Sequence, residues 1–201
     1  MKKDNYILVP THKSYMDFIL LGFVHYHFQV SPPFLCGDEV LFNLGIASYL
    51  MKSTTGFKIS SEMMKDKLYK TVIESYIFSL LDHGQLIELF LEKKRSRTGK
   101  ITKPTEDLFN EIIKVYLNNR SKSIIVGQKD LKFVPITINY DRVLEGDAFP
   151  LELLGEEPQY ETVYKLMKKL SYITKSFGRV NIKYGEPVSI QQYADKHLPK
   201  N

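Results

Sequence analysis

The chain has 201 residues, 43% hydrophobic and 25% charged, a length and balance that exclude wholesale disorder and suit one domain with a sizeable core. Its single cysteine, Cys36, excludes an internal disulfide and a thiolate zinc cluster and points to a reducing compartment. The formal net charge of +5 suits anionic partners, whether phosphorylated metabolites, a phosphate-bearing coenzyme, acidic lipid or nucleic acid.

Tyr6 to Pro10 is an apolar run closed by proline and reads as a buried strand, after which Ser14 opens a helical pattern to about residue 28. Ser31-Pro32-Pro33 ends that helix, and Phe34-Leu35-Cys36 gives a short strand. Asp38 caps a predicted helix through Met51, with Val40, Leu41, Leu44, Ala47, Tyr49 and Leu50 as its apolar face. Phe57-Lys58-Ile59 reads as another strand, and a long helix is predicted from Met63 to Leu81, closed by Gly84 as a left-handed cap. Leu86 to Leu91 is the clearest strand. A helix is expected from Pro104, a residue suited to a first turn, to Leu117. Phe133 to Tyr140 alternates as a strand, and Pro135 predicts that it lies at an edge or that the proline sits at its beginning. Asp141 to Gln159, acidic and containing Gly and Pro, reads as a mobile excursion. Tyr160 to Phe177 is a predicted amphipathic helix stopped by Gly178, Val180 to Tyr184 a last strand, and Ser189 the cap of a short terminal helix. Short strands alternating with longer helices predict one α/β domain over 1–201, its sheet mixed, mostly parallel and flanked by helices.

The most apolar window, Phe18 to Val30, is interrupted by His25, His27 and Gln29 and is too short and too polar to span a bilayer. No signal peptide is read ahead of the first strand. Contact with membrane is therefore expected from the side.

Two stretches could carry chemistry. In Thr11-His12-Lys13-Ser14-Tyr15-Met16-Asp17, His12 falls in the turn after a strand, where α/β proteins commonly place their sites. With Ser14 as cap, Asp17 is the third helical residue and its side chain leans back toward His12. A carboxylate on one imidazole nitrogen fixes the tautomer and leaves the other as a general base. Ser14-x-x-Asp17 is equally a capping-box start, which needs no catalysis. In Phe90-Leu91-Glu92-Lys93-Lys94-Arg95-Ser96-Arg97, one carboxylate and four cations follow a second strand. Arg95 and Arg97 are natural phosphate ligands because a guanidinium donates paired, coplanar hydrogen bonds, although such a run also suits a solvated loop.

Together these stretches resemble the glycerolipid acyltransferases. Val9 to Phe18, with His12-x-x-x-x-Asp17, is similar to the family's first motif, and Phe90-Leu91-Glu92 followed by Arg95 to Lys100 to its third. Val134 to Asp141 resembles the fourth, while Leu151 to Gly155 and Phe177-Gly178 through Tyr184-Gly185-Glu186-Pro187-Val188-Ser189 resemble the branch that acylates dihydroxyacetone phosphate and glycerol 3-phosphate. The resemblance covers nearly the whole chain in order. It implies a glycerol-3-phosphate acyltransferase-like fold and O-acyl transfer from acyl-CoA, or acyl carrier protein, to the hydroxyl of a phosphorylated three-carbon acceptor. His12 would be general base and Asp17 its orienting partner; Glu92 and Arg95, with Arg97 and Lys58, would hold the acceptor, and Pro135 would shape the acyl-side wall. It implies no cofactor beyond acyl-CoA as co-substrate, no metal and no nucleic-acid partner. It further implies a peripheral membrane surface. Peroxisomal placement rests on the resemblance alone, because Leu198-Pro199-Lys200-Asn201 is no peroxisomal address; the cytoplasmic face of a membrane is the other expectation. Relatives are usually longer at both ends, so the chain reads as a catalytic core or a short form.

The pattern breaks twice. Where the family's third motif has glycine and a small hydroxyl residue after the glutamate, this chain has Lys93 and Lys94, and a lysine is costly wherever the backbone needs positive φ. Where the second motif ends in a phosphate-binding arginine, Gly56-Phe57-Lys58-Ile59 runs into Ser60-Ser61. Lys58, Lys93 or Lys94 could supply charge but not a guanidinium fork. The alternative reading is accordingly a catalytically impaired paralogue that binds acyl-CoA or lipid without turnover. A nucleic-acid module has only the charge and the 93–97 run behind it.

Overall fold

The computed structural model describes residues 4–14, 16–37, 55–60, 62–92, 95–105, 107–120, 129–143, 145–146, 149–155 and 178–197. The predicted helices at 38–51 and 160–177, and the lysines at 93 and 94, lie outside them.

Two neighbouring residues set the layering. In β1 (Asn5–Pro10), Ile7 and Leu8 point to opposite sides of the sheet and both are buried, as a central strand covered on both faces requires. β2 (Phe34–Gly37) pairs in parallel with β3 (Phe57–Lys58) and with β4 (Ile87–Leu89), and β4 pairs in parallel with β1. On the other side of β1, β5 (Leu131–Tyr140) runs parallel to it over six residue pairs, from Asn5↔Leu131 to Pro10↔Ile136. β6 (Val180–Tyr184) and β7 (Val188–Ser189) close that flank antiparallel to β5. The order β3-β2-β4-β1-β5-β6, with β7 also on β5, is the expected mixed, mostly parallel sheet.

α1 (Met16–His27) covers one face, where its Leu21 packs on Leu8, Val134, Ile136 and Ile138. α2 (Lys67–Asp82) and α3 (Asp107–Arg120) cover the other. Ile73, Ile77, Leu80 and Leu81 of α2 form one helical stripe and join Ile7, Ile87, Leu89, Tyr116 and Leu131 in the larger core. Full burial of each such side chain is worth about 1.5–3 kcal/mol. α4 (Phe149–Leu153) and α5 (Ile190–His197) are short, and Ser189 caps the latter as expected, its Oγ accepting from Gln192 N at 3.0 Å. Among the described residues no helix is long and apolar enough to cross a membrane.

Three expectations shift. The helix predicted from Met63 divides into a single 3-10 turn, Met63–Lys65, and α2, because Asp66 is extended and its carboxylate accepts from Tyr69 N at 2.8 Å as a new N-cap. Gly84 does end α2, at φ 64°. α3 starts at Asp107 rather than Pro104, since Thr105 is drawn back to the end of β4: its N and Oγ1 both donate to Leu91 O, at 2.7 and 2.9 Å. Pro135 lies inside the interior strand β5, not at an edge or a beginning. Its missing N–H faces the interval between the β7 pairs (Lys132, Phe133) and the β6 pairs (Ile136 onward), where Gly185 N reaches Pro135 O at 2.8 Å. Gly185 permits that approach: a Cβ there would stand 2.9 Å from Pro135 Cγ.

Candidate active site

β1 and β4 are neighbours in register, Leu8 opposite Glu88, so the loops after them emerge side by side at the carboxyl edge of the sheet. His12 lies two residues beyond β1 and Glu92 three beyond β4. The main chain joins the loops: His12 N donates to Glu92 Oε1 at 3.2 Å, and Ser96 N donates to His12 O at 2.9 Å. The first and third motifs thus form one body.

Asp17 occupies the first turn of α1 and is fully buried. Its Oδ2 accepts from Lys13 N at 2.7 Å and Ser14 N at 2.9 Å and lies 3.3 Å from His12 Nδ1. Its Oδ1 accepts from the hydroxyl of Tyr140. Ser14 does open the helix, its Oγ accepting from Met16 N at 3.1 Å, which makes the capping box and the His–Asp contact parts of one arrangement. The buried His12 ring packs against Phe18 and Phe90, with centroids 5.1 and 4.9 Å away. With Nδ1 facing a carboxylate, Nε2 is the proton-accepting nitrogen. Burial, the Asp17 charge and the bond to Asp17 together push the Tyr140 hydroxyl far above the ordinary tyrosine range, so it stays a donor.

Glu92 is buried and fixed from both sides: besides His12 N, Thr102 donates to its Oε2 through Oγ1 at 2.7 Å and N at 3.3 Å. Arg95 Nη1 stands 3.3 Å from Glu145 Oε1, and the guanidinium lies over Phe149 with its carbon 5.5 Å from the ring centroid. The other carboxylate oxygen of Glu145 accepts from Ser14 Oγ at 2.8 Å. Arg97 reaches outward to Glu152 of α4 at 3.5 Å and is more exposed.

His12, Asp17, Glu92 and Arg95 are therefore brought together, with Arg97 at their margin. Lys58 and Pro135 lie on other strands. Lys58 ends β3, the edge strand, at the same carboxyl edge of the sheet and two strand spacings, or about 10 Å, from β4. Pro135 is exposed, opposite Val9 and short of the strand end, with Gly185 over its ring. Ser60, where an arginine was expected, is buried; its Oγ accepts from Met63 N at 3.4 Å, so it opens the 3-10 turn instead. The supposed excursion after Asp141 in fact supplies Glu145 and Phe149. Thr102, Tyr140 and Glu145 were missed by spacing arguments; Tyr140 alone had a signal, at the end of the fourth-motif stretch.

Beneath the site, Glu88 shares the α1 face with Leu8 and is almost wholly buried, its Oε1 without a hydrogen-bond partner among the described residues. Burial first, and the nearby Asp17 charge second, hold its carboxyl well above the usual carboxylate range. Burial likewise pushes the Cys36 thiol up, which excludes a ready thiolate.

The family model described as Acyltransferase matches residues 1–139, and that of the glycerol-3-phosphate acyltransferase C-terminal region matches 151–201. A glycerol-3-phosphate acyltransferase of Pseudomonas aeruginosa is 28% identical over 193 residues, 96% of this chain and 22% of its own length. The mouse dihydroxyacetone phosphate acyltransferase is 29% identical over 196 residues, 97% of this chain and 28% of its own. The chain thus spans about a quarter of the length of these relatives. A crystal structure of the 1-acyl-sn-glycerophosphate acyltransferase of Thermotoga maritima matches 98% of this chain and 64% of its own, at 16% identity and a TM-score of 0.48. With its family model matching residues 1–139, more than half of the sequence, the chain belongs to the Acyltransferase family.

Proposed function

We propose that residues 1–201 form a catalytic core that transfers a fatty acyl group from acyl-CoA to the hydroxyl of dihydroxyacetone phosphate, with glycerol 3-phosphate as the close alternative acceptor. The observation that carries this reading is the His12 ring, its Nδ1 against a carboxylate fixed by two backbone N–H groups. In the proposed reaction the acceptor oxygen attacks the thioester carbonyl while His12 Nε2 takes its proton. Asp17 holds the tautomer and stabilises the imidazolium. Collapse of the tetrahedral adduct breaks the carbon–sulfur bond, and the imidazolium returns the proton to the departing CoA thiolate. The proposed chemistry uses acyl-CoA as co-substrate and calls for no metal.

Arg95, with Glu92 orienting its loop, is the proposed phosphate-side group, and Arg97 a marginal one. Lys58, at the carboxyl end of β3, is a proposed supplementary cation, and Pro135 a proposed part of the acyl-side wall. A peripheral membrane surface is also proposed, supported by the exposed Phe23, Tyr26 and Phe28 at the end of α1 and by the net positive charge.

The test is release of free CoA from palmitoyl-CoA by the purified chain with either acceptor. Acceptor-dependent release that falls about 10²–10⁴-fold in His12→Ala is expected. Binding of palmitoyl-CoA by folded protein without release would instead favour the impaired paralogue, the reading to which Lys93, Lys94 and Ser60 lend weight.

A further inference from the structure

We infer that Glu145 is a positioning residue of the acceptor site: it presets Arg95 for a phosphate and locks that guanidinium in register with the start of α1. This deepens the proposed function and rests on it for Arg95's role.

Glu145 is fully buried, in a loop that reads from sequence as a mobile excursion. Its two oxygens serve two loops. Oε2 accepts from the Ser14 hydroxyl, in the turn that carries His12 and Asp17, and Oε1 is ion-paired at 3.3 Å with Nη1 of Arg95, from the loop after β4. Phe149 lies beneath the same guanidinium, and its N donates to Glu145 O at 3.3 Å, so one short segment both pairs Arg95 and supports its face. A long flexible cation is in this way presented in one place relative to Nε2 of His12. Pre-ordering of this kind lowers what binding must later expend on immobilising the side chain.

The inference makes a sign prediction that simple charge counting reverses. A carboxylate beside a phosphate site repels the ligand, so its neutralisation should tighten binding if charge alone mattered. If Glu145 acts by positioning Arg95, Glu145→Gln weakens binding instead.

The experiment measures glycerol 3-phosphate binding by calorimetry, and the acceptor KM where turnover is seen, in the wild type, Glu145→Gln, Arg95→Ala and the double variant. In Glu145→Gln the Kd and KM are expected to rise about tenfold, with kcat and the palmitoyl-CoA KM within about threefold. In the Arg95→Ala background the same substitution is expected to add nothing, because its effect runs through Arg95. Tighter or unchanged binding in Glu145→Gln, or an equal further loss in the double variant, overturns the inference, as does a wild type that binds no glycerol 3-phosphate. If Glu145→Gln is unfolded by circular dichroism, Glu145→Asp takes its place, with a smaller rise in Kd expected and an unchanged Kd overturning the idea. Wild-type binding without CoA release would sink the proposed activity while leaving the Glu145 result readable.

Discussion

His12 and Arg95 stand at the same edge of the sheet but are held by different means. His12 is fixed from within a run of six residues: the turn that carries it folds onto Asp17, whose Oδ2 gathers the backbone N–H groups of Lys13 and Ser14 beside the imidazole. Arg95 is fixed by Glu145, fifty positions along the chain, and Glu92 by Thr102, beyond the basic run. The difference teaches that the proposed general base is oriented largely by local capping geometry, with Tyr140, Glu92 and Ser96 reinforcing it from a distance, whereas the proposed phosphate-side arm takes its partners from remote parts of the chain. Damage to the first region should therefore read out in kcat, and damage to the second in acceptor affinity.

The largest effect should come from Asp17→Asn. The amide oxygen can still accept from Lys13 and Ser14 while its NH₂ faces Tyr140, so folding is retained, but a neutral group no longer stabilises an imidazolium. A kcat loss of about 10²–10⁴ with little change in acceptor KM is expected from steady-state kinetics. A loss confined to KM would break the division between the regions. Thr102→Val comes next: it removes the shorter of two bonds to Glu92 Oε2, and the acceptor KM should rise about tenfold with kcat nearly constant. Tyr140→Phe is smaller still. It deletes the one distant donor to Asp17 while both backbone donors remain, and a kcat loss of only about threefold to tenfold is expected. A loss as large as that of Asp17→Asn would show that the corner is not locally held.

Glu88→Gln should leave turnover largely intact and change only how stability varies with pH. Because the native carboxyl sits well above its ordinary value, the unfolded chain deprotonates first as pH rises. The stability present below the ordinary carboxylate pKa is then lost toward the native pKa, at about 1.4 kcal/mol per pH unit for this one group. Urea unfolding followed from about pH 5 to pH 8 should show that slope in the wild type and a flatter profile in the variant. Parallel profiles would remove Glu88 as the source.

The sequence was most legible where its signals were local. β1 and the Ser14 cap could be read because an apolar run, a proline and a hydroxyl residue each act within a few positions. The start of α2 was misplaced because the pattern around Met63 continues helically, while the Asp66 cap offers Tyr69 N a competing bond. α3 begins late because Thr105 finds its partner at Leu91, fourteen residues back. Pro135 misled because the rule that sends proline to edges concerns its missing donor, and an interior strand satisfies that rule wherever its neighbour pauses. Glu145 was out of reach altogether, since no spacing rule ties positions 14, 95 and 145.

One feature of the corner ties the two loops together. His12 engages both of its main-chain groups with the loop after β4, donating to Glu92 and accepting from Ser96. The proposed base and the proposed acceptor-side loop are consequently joined at the backbone. A breathing motion that admitted the phosphorylated acceptor by parting these loops would also unseat the imidazole. Glu145 and Phe149, by contrast, touch the corner through side chains, so losing those contacts would free Arg95 while the backbone bonds between the two loops stayed in place.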